Sequence, residues 1–337
     1  MIKIDGSRGE GGGQILRSSL TLSMVTGQPV TIDNIRSGRK KPGLMRQHLT
    51  CVRAAAEICG AKISGAELGS ARVVFNPGEI GAGDYKFAVG TAGGTGLVFQ
   101  TLFPALLIAE RASTLQIEGG THNKAAPSFE FLRDSFLSAL STMGIVANVE
   151  LVRPGFYPAG GGQIQASISP SDLDRKLDLT ERGDLIGLSA KAVVSNLSDK
   201  IAQREISSFA NNVVDLSVES EIEDWPSAGP GNVLLATLRF AGHTDVFSGF
   251  GEFGVKAETV GKRVAGEVRA HAESDAVVGV HLADQLLLPL AIGSGGRFTT
   301  PELTPHFKTN VETIGAFLDV SVRTEQLGER LYLVEVG

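Results

Sequence analysis

The feature that most constrains the fold of this chain is an order of predicted helices and strands that recurs along it. Apolar spacing in residues 14–75 predicts a helix, a strand, a second helix and two further strands. The same order recurs between residues 97 and 168 and again between residues 278 and 336. Few residues are identical between the copies, so a pattern repeats rather than a sequence. We therefore predict an α+β fold that contains three repeated helix/strand units.

The residues between the second and third copies have helix and strand signals of their own. Charged segments at 171–184 and 271–275 bound them, and they predict a smaller inserted α+β domain. We expect residues 1–180 to form the first two units, 181–275 the inserted domain, and 276–337 the third unit. Inside the insertion, the acidic, proline-containing stretch 219–231 predicts a solvated loop.

Composition and charge exclude several classes of protein. A length of 337 residues with 42% apolar and 20% charged residues is typical of a folded chain of about two domains. The net charge of −6 argues against non-specific binding of nucleic acid over the whole surface.

Residues 87–109 carry no charge, but Gly93, Gly94 and Pro104 interrupt them, so we expect a turn and a buried helix rather than a membrane segment.

The two cysteines and the first residues bear on the compartment. Cys51 and Cys59 lie in one predicted helix, roughly 12 Å apart along its axis, which is too far for a disulfide. No basic segment followed by a long apolar run opens the chain. We therefore expect a protein of the reducing cytoplasm.

A glycine-rich loop, residues 9–13, follows a short predicted strand and opens a helix at Gln14. Bare N–H groups at a helix N-terminus attract phosphate, although a tight packing turn would explain the same glycines. The loop lacks the GxGxxG spelling, and no GxxxxGK[ST] motif occurs in the chain. The carboxylate of Glu10 would repel a phosphate unless a divalent cation bridged them. Arg17 is predicted to point toward the same place.

Residues 34–56 carry a strong local excess of positive charge. They include no acidic residue and six cations, which are Arg36, Arg39, Lys40, Lys41, Arg46 and Arg53. Arginine forms two parallel hydrogen bonds to phosphate, so the segment suits a phosphorylated or nucleic-acid end. A solvated helix face is the alternative, but such faces usually mix both signs.

Polar residues within apolar segments are further candidates. Gln100 lies in one apolar helix, and Asp284 and Gln285 precede the apolar run of another, so they meet either a ligand or a buried network. None of the six histidines lies in a zinc motif. His306 follows Pro305 and precedes a helix expected to begin near residue 310; its spacing leaves a structural and a catalytic role open.

Taken together, these residues resemble the RNA 3′-terminal phosphate cyclase family over nearly the whole chain. The similarity is carried by five motifs: residues 10–18 (EGGGQILRS), 41–48 (KPGLMRQH), 155–162 (GFYPAGGG), 282–285 (LADQ) and the Pro305-His306 pair. The resemblance implies three repeats like the C-terminal domain of translation initiation factor 3, with a smaller inserted domain.

The resemblance also implies a reaction. His306 would attack the α-phosphorus of ATP to give a histidine–AMP intermediate, and the AMP would pass to an RNA 3′-phosphate. Attack by the adjacent 2′-hydroxyl would then close a 2′,3′-cyclic phosphate and expel AMP. Neutral imidazole is a competent nucleophile for the first step.

Carried over by position, the resemblance assigns roles to individual residues. Glu10 would hold a divalent metal, Mg²⁺ or Mn²⁺, while Arg17, Arg39 and Gln47 would contact phosphates or the RNA end. The ATP pocket would be lined by Gln100, Pro127, His281, Leu282, Ala283, Asp284 and Gln285. His281 stands where relatives commonly place a tyrosine that stacks on adenine, so a preference for ATP over GTP is not implied by this position.

Two other functions fit part of the sequence. A non-catalytic RNA-binding scaffold of the same family would lack the nucleophile, and the presence of His306 and Glu10 argues against it. A transferase acting on a small phosphorylated metabolite, such as an enolpyruvyl transferase, would need no covalent nucleotide. We expect no membrane partner.

Overall fold

A computed structural model describes residues 1–337 as four four-stranded sheets and eight α-helices. The first sheet has the order β1-β2-β4-β3. Its strands are β1 (Ile2–Asp5), β2 (Val30–Asp33), β3 (Lys62–Ser64) and β4 (Val73–Asn76). Two helices connect them, α1 (Gln14–Thr26) and α2 (Arg46–Cys59). Each of these helices ends where a glycine in the left-handed conformation follows it, Gly27 or Gly60.

The second sheet has the order β5-β6-β8-β7. Its strands are β5 (Asp84–Ala88), β6 (Ser113–Gly119), β7 (Ala147–Arg153) and β8 (Gly162–Ile168). The helices between them are α3 (Thr95–Leu107) and a π-helix, η1 (Phe131–Leu137), which continues into α4 (Ser138–Ser141). No helix of the protein combines the length and apolar character needed to cross a bilayer.

The third sheet takes its strands from both sides of a long excursion of the chain. Its order is β9-β14-β16-β15, and its strands are β9 (Leu177–Leu179), β14 (Gly296–Thr300), β15 (Val322–Gly328) and β16 (Leu331–Val336). Helices α7 (Val280–Ile292) and α8 (Pro305–Gly315) belong to this part. In all three sheets one edge strand pairs in parallel with its neighbour and the other pairings are antiparallel.

The fourth sheet forms entirely within the excursion, in the order β11-β10-β12-β13. Its strands are β10 (Leu185–Ser195), β11 (Val218–Asp224), β12 (Gly231–Phe240) and β13 (Thr244–Phe250), with helices α5 (Lys200–Ala210) and α6 (Ala257–Ala272). One face of the sheet shares a separate core of 15 buried residues with these helices. Residues such as Val193 and Leu235 join the main core of 63 buried residues. Helices and small mixed sheets confirm the predicted α+β class.

Two sequence predictions about local structure are wrong. The stretch predicted as a loop at 219–231 instead begins with strand β11, which pairs in parallel with β10. Its acidic residues are accommodated because Lys191 of β10 forms ion pairs with Glu221 and Glu223 across the strands. The last predicted helix begins at Pro305 rather than near residue 310.

The early start of α8 has a local cause. The Oγ1 atom of Thr304 accepts a hydrogen bond of 3.1 Å from the backbone N–H of Phe307, which caps the helix. Pro305 occupies the first helical position, where its missing N–H costs nothing. His306 therefore lies in the first turn of a helix and not in a loop before one.

A buried cluster of one carboxylate and two histidines joins the fourth sheet to helix α7. The carboxylate of Asp245 on β13 lies 2.9 Å from Nε2 of His271 and 3.4 Å from Nε2 of His243. Its Oδ1 accepts a hydrogen bond of 3.4 Å from the N–H of Gly279, the residue that caps α7. Burial alone would raise the pKa of Asp245, but the two histidines outweigh burial and hold that pKa below its usual range.

We expect Asp245→Asn to lower the free energy of unfolding by about 3 kcal/mol, because it removes the buried carboxylate that lies against His243 and His271. The measurement is the midpoint of urea unfolding at pH 7. Asp215→Asn, at an exposed position, is the matched control and should stay within about 0.5 kcal/mol of the wild type. Equal midpoints for the two variants would show that the cluster adds nothing to stability.

Candidate active site

A cleft of about 500 Å³ lies between the main body, by which we mean the first three sheets with their helices, and the fourth sheet. Helices α1, α3, α7 and α8 form one side of it, and residues of β13 and α6 form the other. Seven of the residues predicted for the site line this cleft: Arg17, Gln100, Pro127, His281, Asp284, Gln285 and His306. Residues from distant parts of the chain therefore share one concave surface, which is where ligands usually bind.

The side chain of His306 is oriented by a hydrogen-bonded chain of three residues. The Nδ1 atom of His306 lies 3.0 Å from Oε1 of Gln14, and Nε2 of Gln14 donates to Oδ2 of Asp284 at 2.8 Å. An amide oxygen can only accept, so Nδ1 carries the proton in this arrangement. In the neutral ring, Nε2 then keeps its lone pair and is the nitrogen able to act as a nucleophile.

The charges around this chain favour a neutral imidazole. Burial lowers the pKa of His306, and the nearby cations Arg17 and Arg39 lower it further. Burial raises the pKa of Asp284 to about 7, against the opposing effects of Arg17 and of the hydrogen bond from Gln14. At neutral pH His306 is therefore uncharged, and Asp284 is close to its midpoint of ionisation.

The glycine-rich loop brings Glu10 to the free side of the His306 ring. Oε1 of Glu10 lies 3.9 Å from Nε2 of His306, and the same carboxylate forms an ion pair with Arg39. The N–H of Glu10 donates to Oγ1 of Thr309 at 3.1 Å, which holds the loop against α8. Gly9 is required here: its φ is +54°, and a Cβ would lie 2.1 Å from Oγ1 of Thr309.

The residues around Glu10 fit a metal ion only if it is shared with a ligand. No group of three or more His, Cys, Asp or Glu side chains in the structure could hold a metal. Mg²⁺ typically takes one or two carboxylates together with substrate phosphates and water. The single carboxylate of Glu10, beside Arg39, is consistent with such a shared ion and not with a metal bound by protein alone.

Arg17 supplies positive charge to the cleft. Its guanidinium lies near His48, whose pKa falls to about 3 because of burial and of the neighbouring Arg17 and Arg36. None of the ion pairs in the structure includes Arg17. A guanidinium without a carboxylate partner at the wall of a cleft is suited to an anionic ligand.

Not all predicted site residues face the cleft. Leu282 and Ala283 are fully buried on the inner side of α7 and belong to the main core, so the structure does not bring their side chains to a ligand. Gln47 lies outside the cleft lining, where its Oε1 accepts a hydrogen bond of 3.1 Å from the N–H of Gly94, the residue before α3. Gln100 of α3 and Gln285 of α7 are hydrogen-bonded to each other on one side of the cleft.

Sequence reasoning missed several residues of the cleft. Gln14 appeared only as the start of a helix, although it links His306 to Asp284. Asn310 accepts from Ser18 Oγ at 2.7 Å and donates to the backbone oxygen of Asp284 at 2.8 Å. No sequence signal pointed to Lys124, which lies between β6 and η1, or to Arg263 of α6, because the two meet at the cleft only in the folded protein.

The fold and the cleft define an α+β protein whose site joins an uncharged imidazole to an anion-attracting glycine loop, an arrangement suited to phosphate chemistry. The sequence model of the RNA 3′-terminal phosphate cyclase family matches residues 8–324. The chain therefore belongs to the RNA 3′-terminal phosphate cyclase family, which confirms the resemblance found in its motifs.

Individual relatives agree with the family model. A protein from Koribacter versatilis named RNA 3′-terminal phosphate cyclase is 50% identical over 323 residues, which cover 95% of this chain and 91% of that protein. A protein of the same name from Ralstonia nicotianae is 48% identical over 96% of this chain and 93% of its own length. One from Salmonella enteritidis PT4 is 44% identical over 100% of this chain and 99% of its own length.

We expect Asp284→Asn to stabilise the protein at high pH and not at low pH. The folded pKa of Asp284, about 7, exceeds the 3.8 that is usual for an aspartate, so the stability linked to its proton is lost as the pH rises from about 4 to about 7. Asparagine avoids this loss while still accepting from Gln14. The gain in unfolding free energy over the wild type should grow by roughly 2 kcal/mol between pH 5 and pH 8.

The check is urea unfolding of both proteins across this pH range. Asp172→Asn, at an exposed position, controls for the loss of one negative charge. A gain for Asp284→Asn that does not change with pH would contradict the raised pKa.

Proposed function

We propose that this protein uses ATP to convert the 3′-terminal phosphate of RNA into a 2′,3′-cyclic phosphate. The names of its relatives support the cyclase activity. The observation that carries the mechanism is the hydrogen bond between Nδ1 of His306 and Oε1 of Gln14, because it leaves Nε2 of His306 free beside Glu10. A non-catalytic RNA scaffold would have no use for such a poised imidazole.

In the first step, the lone pair on Nε2 of His306 attacks the α-phosphorus of ATP. A nitrogen–phosphorus bond forms, the bond to the α,β-bridging oxygen breaks, and pyrophosphate leaves. The ring becomes positively charged, since Nδ1 keeps its proton. The Oε1 atom of Gln14 accepts from that proton, and the carboxylate of Asp284 behind it stabilises the developing charge.

In the second step, an oxygen of the RNA 3′-phosphate attacks the phosphorus of the bound AMP. The nitrogen–phosphorus bond breaks and releases His306 as neutral imidazole, so the terminal phosphate now carries AMP. The vicinal 2′-hydroxyl then attacks the terminal phosphorus, loses its proton to solvent and expels AMP. The product is the 2′,3′-cyclic phosphate, and adenylylation has supplied the leaving group that a phosphate monoester lacks.

The cleft offers distinct surfaces for the parts of these substrates. We assign Arg17 in the cleft, together with Arg39 and Gln47 outside its lining, to the phosphates and the RNA end, and Glu10, also outside the lining, to a Mg²⁺ or Mn²⁺ ion that would enter with ATP. Such an ion supplies charge neutralisation as pyrophosphate departs. The nucleoside would lie among Gln100, Pro127, His281 and Gln285, with Leu282 and Ala283 supporting this wall from behind.

The organisation of the fold belongs to the same proposal. We infer that the three sheets with a common pairing order are copies of one unit, like the repeats of the initiation-factor-3 C-terminal domain. We also infer that residues 181–275 form an inserted domain. It would lie between the second unit, which ends at residue 180, and the third unit, residues 276–337. The two free, buried cysteines, Cys51 and Cys59, accord with a protein of the cytoplasm.

We expect the protein to become labelled when it is incubated with Mg²⁺ and ATP carrying ³²P at the α-phosphate. The label should be labile in acid and stable in alkali, as a phosphoramidate is, and His306→Ala should take up none. The measurement is radioactivity retained by the denatured protein on a gel.

Lys308→Ala is the matched control, because Lys308 is an exposed residue of the same helix as His306. It should label as the wild type does. An unlabelled wild type, or a labelled His306→Ala, would overturn the covalent mechanism.

We expect Arg39→Ala to slow cyclisation of 3′-phosphorylated RNA by roughly tenfold or more, and to slow self-adenylylation less. A single-stranded end is held mainly through its phosphates, and loss of one charge-assisted contact is worth about 1.5–3 kcal/mol. The two rates are measured separately, by single-turnover cyclisation of pre-adenylylated enzyme and by labelling with ATP alone. Lys62→Ala, an exposed cation of β3, is the control. Equal losses in the two rates would argue against a role for Arg39 at the RNA end.

A further inference from the structure

One aromatic side chain of the protein is wholly exposed to water. Phe253 has a relative exposure of 109%, the highest of the large apolar residues. It lies in the loop between β13 and α6, residues 251–256, which we call the Phe253 loop. Exposed apolar residues need no explanation when they are scattered, but a fully projecting phenyl ring beside a binding cleft is a candidate contact.

The Phe253 loop is held in a defined turn. The N–H of Val255 donates to the carbonyl oxygen of Glu252 at 3.0 Å, and Gly254 has a φ of +81°. These are the features of a type II turn with Phe253 at its second position and glycine at its third. The N–H of Gly251 donates to the carbonyl oxygen of Asn232 at 3.3 Å, which fixes the start of the loop. The ring is therefore presented at the tip of an anchored turn.

The turn is fastened to the rim of the cleft that contains His306. Oε1 of Glu252 accepts from Nζ of Lys124 at 2.8 Å and lies 3.9 Å from Nη1 of Arg263. Lys124 and Arg263 both line the cleft, as does Phe250 at the end of β13. Phe253 itself does not line it. The ring thus stands just outside the cleft, on the side formed by the fourth sheet.

Lysine and arginine side chains lie on and beside the Phe253 loop. The carboxylate of Glu252 faces both Lys124 and Arg263, and the carboxylate of Glu267 in the cleft also lies near Arg263. Lys256 at the end of the loop is exposed and adds a positive charge. A stacking ring next to lysine and arginine is the combination with which proteins bind single-stranded nucleic acid. A protein partner would require a larger apolar patch, and only Val255 adjoins the ring on this loop.

We propose that Phe253 stacks on a base of the RNA strand where it leaves the cleft, while Lys124, Arg263 and Lys256 attract its backbone. This inference rests on the proposed function, because it presumes that the 3′-phosphate is held beside His306. The ring adds affinity for an oligonucleotide without a preference for one base, since each base offers a π-face. The loop takes no part in the reaction of His306 with ATP.

The experiment measures cyclisation of a 3′-phosphorylated oligonucleotide by wild type, Phe253→Ala, Phe253→Leu and Phe253→Trp. We expect Phe253→Ala to raise KM for RNA about tenfold with little change in kcat. Phe253→Trp should restore the KM of the wild type, and Phe253→Leu, which keeps apolar surface without a π-face, should not. Labelling with ATP alone, which needs no RNA, reports in each variant whether the protein is folded and able to react.

A second set of substrates locates the stacked base. Oligonucleotides carrying one abasic position each are compared between wild type and Phe253→Ala. When the abasic position is the one that stacks on Phe253, the wild type should no longer have a lower KM for RNA than Phe253→Ala. Both proteins should then show the same KM. Leu327→Ala, at an exposed apolar position in the distant strand β15, is the control and should behave as the wild type does on every substrate.

The outcomes separate this inference from the proposed function. A wild type that neither labels with ATP nor cyclises RNA overturns the proposed function itself. A wild type that does both, with an unchanged KM for RNA in Phe253→Ala, overturns only the stacking by Phe253. A KM restored equally by leucine and tryptophan also overturns stacking, because it would show a simple apolar contact.

Discussion

The contact between the first and last helices of the main body is the constraint on which the site depends. Glu10 is held to Thr309, Ser18 to Asn310, and Gln14 to His306, over separations of 292 to 299 residues. Each pair consists of polar groups that are buried or half-buried, so each contact replaces hydrogen bonds to water and fixes one relative position of α1 and α8. Without that position, the imidazole would have neither its orienting amide nor the carboxylate on its free side.

The packing around these contacts also buries ionisable side chains, and burial of a charge opposes folding. Asp284 and Arg17 both have pKa values shifted by burial toward their neutral forms, which is the direction that opposes their charges. The remainder of the protein compensates through a continuous core of 63 buried residues and through the Asp245 cluster that anchors the start of α7. Residues that suit the proposed chemistry thus include groups whose burial opposes folding.

Prediction from sequence succeeded where a local pattern decides the outcome and failed where packing does. Apolar periodicity gave the α+β class, and the glycine loop and the basic segment gave residues such as Glu10 and Arg39 near the site. The loop predicted at 219–231 is partly a strand because Lys191 neutralises its acids from a neighbouring strand. Leu282 and Ala283 share a motif with Asp284, yet helical geometry turns them into the core.

The sequence by itself determined the types of residue available for chemistry and the segments that carry them, because composition and spacing are local properties. Only the tertiary structure decided which nitrogen of His306 is free, because the proton on Nδ1 is fixed by Gln14 at the other end of the chain. It also decided that the Phe253 loop lies at the rim of the cleft, since Lys124 and Glu252 meet only when the fourth sheet packs on the main body.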